Sequence, residues 1–324
     1  MVDTNELKRE ARQYLRYEKD KENRIAYLTF DRPDAFNAVT AGMRLVYAEL
    51  IHQANIDDDV KVLVIRGAGA HFGTGGDLPE QAEMFSEDNP DANFLHEFDL
   101  DEPENVRYPP KGSFRFLHGL TDYYSKARAG CRPLQEFKKI SIVEVKGYCY
   151  GWHFYQAADA DLLVSSDEAL FGHPSFRYAG WGPRLWTWVE TIGLRKFSEM
   201  LFTGRPFTAQ EMDKTNFVNS IVPLDQLDAE TRKYALACSR SRPTDVVAVQ
   251  KTFLEIYKQY RGEYMGSMLT GFVEGMLPMM KNDRAADVQI GGDVFGKGLN
   301  NVVKDLDMEY PPEWRLSRGN RRKP

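Results

Sequence analysis

Apolar positions near the N-terminus change period twice. Residues 25–30 form a short apolar run, and Asp31, Arg32, Pro33 and Asp34 stop it with turn chemistry, which predicts a strand. Behind Thr40, the residues Met43, Val46, Tyr47, Leu50, Ile51 and Ala54 recur at helical spacing and predict a helix with Thr40 as its N-cap. Residues 60–66 are then almost continuously apolar, the pattern of a strand covered on both faces, and the order strand, helix, strand predicts a parallel crossover. The same grammar returns at residues 141–145, with a helix expected from about Trp152, and in a short strand pair at 161–165 and 169–171.

Elsewhere the pattern changes. Residues 1–22 read as a charged lead-in of helical character, and residues 84–135 interrupt the alternation with acidic, Pro-rich and Phe-bearing stretches, read as a lid or oligomer contact. From 194 to 324 helical spacing dominates, with a bent region between Gly262 and Met280. The expected layout is an α/β core over residues 23–193 and a helical C-terminal region ending in a basic tail, read as a solvated terminus with a phosphate contact as the alternative.

Composition narrows the function. A chain of 324 residues, 42% hydrophobic, buries a large core, and its net charge of −6 does not suit a nucleic acid as main partner. Three cysteines without paired spacing fit a reducing compartment, so a cytoplasmic protein is expected. No apolar stretch is long enough for a membrane span, and no metal-ligand spacing is visible.

The chemistry is concentrated in two Gly-centred turns, at residues 71–80 and 146–151, each following a predicted strand. Such turns aim backbone N–H groups, and donors aimed at one oxygen stabilise an enolate or oxyanion developing on a carbonyl. Residues 30–33, Asn37 and Ala38, residues 72–78, 145–148, 157–161, 169–174 and 201–205 together resemble the crotonase, or enoyl-CoA hydratase/isomerase, superfamily. The resemblance implies a crotonase-like ββα spiral core, a C-terminal helical region used for oligomerisation, a homotrimer or hexamer, and acyl-CoA substrates with coenzyme A as part of the substrate and no separate cofactor. It places the oxyanion N–H groups at Thr74 and Trp152, and coenzyme A binding at Ala35, Phe36, Ala38, Gly75, Gly76 and Gly151. Asp77 is read as a helix cap.

A hydratase of that superfamily carries two glutamates, and both are missing. One position falls on Tyr155, the other on Ser175 or a gap, and no Asp or Glu occurs at 146–158 or 169–189. His153, Tyr155, His173 and Ser175 stand there instead, with His153 or His173 as candidate general base. Three readings follow. The first is ring-opening hydrolysis of a β-keto acyl-CoA, or related lyase chemistry, on a cyclic or bulky acyl group facing aromatic walls. The second is a hydratase or isomerase whose acid/base groups come from the insertion or the C-terminal helices, and the third is a non-catalytic acyl-CoA-binding member.

Overall fold

The computed structural model describes residues 4–80, 121, 123–127, 131–177, 185–276 and 299–321. Six strands form the main sheet in the order β1 (Leu15–Asp20), β2 (Ile25–Phe30), β3 (Val62–Gly67), β4 (Ile140–Val145), β6 (Leu162–Ser166) and β9 (Ser220–Val222). A second sheet holds β5 (Tyr148–Tyr150), β7 (Leu170–Gly172) and β8 (Phe207–Thr208). All pairs of the main sheet are parallel except β1 with β2.

The crossover from β2 to β3 runs through α2 (Ala41–Ile56), and Thr40 caps it by accepting from Met43 N–H at 3.2 Å. Period-2 alternation sorts the strand residues between two cores. Ile25, Val62, Val64, Ile142 and Val164 face α6 (Leu227–Arg240), while Ala26, Leu28, Phe30, Leu63, Ile65 and Val143 face α2 and α3 (Trp152–Asp159). Coverage of both faces is what the unbroken apolar runs required.

The lead-in is only partly helical. After α1 (Thr4–Ala11), residues 15–20 form the antiparallel edge strand β1, in register from Leu15↔Phe30 to Asp20↔Ile25. Its exposed Arg16, Glu18 and Lys19 gave it a helix-like charge density, yet on an edge strand such charges also discourage pairing with other chains. The short pair expected at 161–171 is divided between the two sheets, since β6 continues the first and β7 the second. Most of the expected lid, through residue 120, lies outside the described residues; beyond it Tyr123, Tyr124, Cys131, Arg132 and Leu134 are buried in the core.

The C-terminal region comprises α4 (Leu185–Ile192), α5 (Leu194–Thr203), α6, α7 (Thr244–Tyr260), α8 (Glu263–Gly275) and α9 (Leu299–Glu309). The expected bend falls at Gly262, left-handed at φ 88°, between α7 and α8. Helix α8 is amphipathic in the inverted sense. Glu263, Ser267, Thr270 and Glu274 share its buried face, whereas Met265, Met268, Leu269 and Phe272 are exposed. On α7, Val249, Phe253, Ile256 and Tyr260 extend the exposed apolar stripe. Among the described residues no helix is long and apolar enough to cross a membrane.

The basic tail is docked, contrary to the solvated terminus expected. Tyr150 donates to Leu316 O at 2.9 Å, Arg318 N–H donates to Tyr148 Oη at 2.7 Å, and the Arg318 guanidinium pairs with Glu168 at 2.8 Å. Asp307 receives Leu316 N–H at 2.7 Å and Arg177 at 2.9 Å. Local charge density concealed these tertiary partners.

Candidate active site

Chain pairing brings the two Gly turns together. Gly73 bridges Cys149 in β5, with Gly73 N–H donating to Tyr148 O at 2.8 Å and Tyr150 N–H donating to Gly73 O at 3.0 Å. Gly75 sits at φ +100°, and a Cβ there would meet Tyr150 O at 3.2 Å and both Gly151 Cα and Trp152 N at 3.3 Å. Only glycine gives this conformation and this approach without strain. Gly151, at φ 55°, caps α3, so Trp152 is that helix's first residue, at the positive end of the helix dipole. Among the described residues the Thr74 N–H meets no acceptor.

The loop expected to hold coenzyme A lies against the first turn. Ala35 ends the 3-10 turn Pro33–Ala35, Phe36 follows in a left-handed conformation with its ring half-exposed, and Ala38 O accepts from Arg32 at 3.1 Å. Val39 bridges Gly76, donating its N–H to Gly75 O at 2.9 Å. Asn37 secures the loop from the inside, accepting from Arg32 N–H at 2.9 Å and donating to Ala68 O and His71 O. Asp77 acts as the cap expected, accepting from Glu80 N–H at 3.1 Å, and it also pairs with Arg32.

His153 does not sit where a general base would meet substrate. Its ring is wholly buried, edge-on to Phe30, Phe72 and Trp152, and a Cβ on Gly73 would lie 2.2 Å from it. Nδ1 accepts from Gly75 N–H at 3.1 Å, and burial pushes its pKa down to about 3, so the ring is neutral with its proton on Nε2. Sequence position next to Trp152 suggested a base. The helical turn instead carries this side chain behind the first turn, where it holds the Gly75 amide.

The other three polar candidates do come together. Gly151 N–H donates to Gly172 O at 3.1 Å, and the β5–β7 pairing sets His173 beside the second turn. The Tyr155 hydroxyl bonds His173 Nε2, and Ser175 Oγ bonds His173 Nδ1. His173 is buried, stacked on Phe176 with ring centroids 4.6 Å apart, and burial takes its pKa down to about 3; Ser175 is half-buried. Trp188 packs against Tyr155 at 5.5 Å, while Tyr178 and Trp181, also read as aromatic walls, lie outside the described residues.

Two members of this constellation escaped the sequence reading. Tyr124 stands edge-on to Tyr155 with centroids 6.4 Å apart, and its hydroxyl donates to Glu274 Oε2 of α8. Burial first and the Glu274 charge second push the Tyr155 hydroxyl well up. A legible signal existed, namely four polar residues at 263, 267, 270 and 274 on one face of an otherwise apolar helix. The buried end of α8 is fixed by Arg132, which takes Asp159 in a two-pronged pair (2.8 and 3.2 Å) and also binds Glu263 and Ser267.

Family models described as enoyl-CoA hydratase/isomerase match residues 25–121 and 118–267. Mevalonyl-coenzyme A hydratase of Aspergillus fumigatus is 27% identical, over 91% of this chain and 92% of its own length. Hydroxycinnamoyl-CoA hydratase-lyase of Pseudomonas fluorescens is 25% identical over 72% of this chain and 75% of its own. An enoyl-CoA hydratase structure from Mycobacterium smegmatis superposes with a TM-score of 0.72 at 23% identity, covering 95% of this chain and 96% of that one. Such a superposition carries the fold, which is that of the crotonases with a helical C-terminal region.

Proposed function

The chain belongs to the enoyl-CoA hydratase/isomerase family, and from that premise we propose that it adds or removes water at the β-carbon of a bulky acyl-CoA thioester, through an enolate. The observation that carries this reading is the Tyr155, His173 and Ser175 chain, held against the second Gly turn at the positions where a hydratase of the family has its glutamates. Thr74 and Trp152 N–H groups receive the thioester oxygen as it gains charge, an arrangement in which loss of one donor costs about 10²–10³ in rate. His153 positions the first donor through Gly75, and Ala35, Phe36, Ala38, Gly75, Gly76 and Gly151 line the approach of the coenzyme A portion.

Ring-opening hydrolysis was expected because carboxylates are missing beside the turns. Glu274, which accepts from the Tyr124 hydroxyl, stands behind Tyr155, whose ring Tyr124 meets edge-on, and this nearby carboxylate favours the hydration reading. The test is direct. Mevalonyl-CoA, a straight-chain 3-hydroxyacyl-CoA, their enoyl products and a cyclic β-keto thioester are incubated with purified protein, and products are read by NMR. A new alkene or alcohol is expected; a new carboxylate from the β-keto substrate alone overturns the reading, and tight binding without turnover of any thioester supports a non-catalytic member.

We also infer a homotrimer or hexamer, supported by the exposed stripe of Val249, Phe253, Ile256 and Tyr260 on α7, large apolar side chains of the kind that mark an interaction surface. Light scattering of the purified chain at micromolar concentration reads the stoichiometry, and a monomer rejects the inference.

A further inference from the structure

His71 opens the first Gly turn, and its side chain is tied to the second. Nδ1 accepts the Tyr148 N–H at 3.2 Å, and the ring stacks on that of Tyr148 with centroids 4.3 Å apart. We propose that His71 is a positioning residue of the reaction, a neutral imidazole that staples the two turns so that the Thr74 and Trp152 amides stay aimed at one oxygen, and that lets them part when it is protonated. This rests on the hydration reading above.

The staple completes a pairing that the backbone leaves one bond short. Phe72 N–H donates to Lys146 O, Gly73 N–H to Tyr148 O and Tyr150 N–H to Gly73 O. Tyr148 N–H belongs to the same seam, yet a side-chain nitrogen receives it where a carbonyl would otherwise stand. The approach is close enough to dictate the residue before it. Gly147 sits at φ +56°, and a Cβ there would run into His71 Nδ1 and Ala70 O.

Other contacts hold the ring in place. It meets Phe36 edge-on at 5.1 Å, and His71 O accepts from Asn37 Nδ2 at 2.8 Å. The Tyr148 ring on which it stacks is itself held by the tail, since Tyr148 Oη accepts from Arg318 N–H at 2.7 Å. His71 thus touches the loop of Phe36 and Asn37, the first turn and the second, and it acts on the thioester through the turns rather than by touching it.

The charge of the ring decides whether the staple holds. An imidazole accepts at Nδ1 only while its single proton is on Nε2; the cation carries N–H on both nitrogens, and its Nδ1–H would then face the Tyr148 N–H. Burial first, then the charge of Arg318, push the His71 pKa down; Lys146 adds to this, while Glu168, itself paired with Arg318, works against it. The staple is therefore made at neutral pH and opens as pH falls below the ordinary 6.5 of a histidine. Because the ring is only half-buried, solvent supplies the proton directly.

Two substitutions in the full-length protein divide the roles of this side chain. H71F keeps a flat ring against Tyr148 and loses the acceptor, whereas H71N places an amide oxygen about where Nδ1 stands and does not titrate. At neutral pH the hydration kcat of H71F is expected to fall about tenfold, the worth of about one hydrogen bond, and H71N to recover most of it. Wild-type kcat in H71F overturns the staple. The pH profile supplies a readout that a merely structural role would not move: wild-type kcat is expected to decline as pH drops below 6.5 and H71N to lose that decline, so the same acid limb in both overturns the switch. Independently of turnover, ¹⁵N NMR at neutral pH is expected to show the His71 proton on Nε2, with the Tyr148 amide signal moving in step as the ring titrates. A proton on Nδ1, or a Tyr148 amide indifferent to the titration, overturns the proposal. If the wild type converts no thioester, the hydration reading fails while the spectrum still decides the staple.

Discussion

The two halves of the site are built on opposite plans. The Gly turns are backbone devices, each encoded within about ten residues of sequence and locked together by the Gly73 bridge to Cys149. The polar line beside them is a side-chain device, in which Tyr155, His173 and Ser175 are hydrogen-bonded and Tyr124, bonded to Glu274, stands edge-on to Tyr155. A backbone device needs only the right turn at the right strand end, so it persists while nearby chemistry changes. A side-chain line needs every helix at its correct height, and failure of one support disables it.

That difference is tested most severely by Arg132→Met. Removing the arginine leaves Asp159 and Glu263 buried without their cation, a loss of about 3–5 kcal/mol for a buried pair broken on one side. Urea titration is expected to report that loss, and hydrogen exchange to place the loosening in α8 while amides of residues 72–76 stay protected. Equal loss of protection in the turns contradicts the division.

Gly75→Ala probes the other half. A methyl group at φ +100°, 3.3 Å from Trp152 N, wedges the turns apart without touching the polar line. The expected result is a folded protein whose kcat drops by about 10²–10³ on any thioester it converts. Unchanged kcat in Gly75→Ala removes the turns from the chemistry.

The same division explains what the sequence disclosed. Strand runs, the Thr40 cap and both turns were legible because each depends on neighbours in the chain. Tyr155, His173 and Ser175 were found as polar replacements on the right segments, but their mutual bonds depend on the β5–β7 register, and no spacing rule gives that. Glu274 was missed because the polar stripe at 263, 267, 270 and 274 marks a buried face of its helix without saying which side chains that face will meet. The tail failed for the converse reason: its charge reads as solvation, whereas Glu168, Asp307 and two tyrosine hydroxyls dock it. His153 was assigned by proximity in sequence, and one helical step turned it from the site into the core.

Acid is expected to act on both halves at once. His153 supports the turn and His173 lies in the polar line, and burial depresses both from an ordinary 6.5 to about 3. The unfolded chain therefore binds more protons between those values, so their contribution is fully present above pH 6.5 and is lost as pH falls toward 3. Each neutral histidine makes stability decline by up to about 1.4 kcal/mol per pH unit in that window. Comparing urea midpoints of the wild type and H153F from pH 7 to pH 4.5 separates the two: the variant should keep the His173 share of the slope and lose the rest.

The smallest effect concerns the tail, and it asks whether the backbone device is truly self-contained. Tyr150 ends the strand that leads into the second turn, and its hydroxyl is bonded to Leu316 O rather than to anything in the site. Tyr150→Phe leaves that carbonyl without its donor, at about 1 kcal/mol, and the loss should appear as faster exchange of the amides at 316–318. Because Gly151 is set by its own left-handed φ and by Gly172 O, the turn should not move and kcat should stay near the wild-type value. A fall of about tenfold, worth some 1.4 kcal/mol of barrier, would mean that the docked tail holds the second turn in place. The turns would then depend on distant supports just as the polar line does.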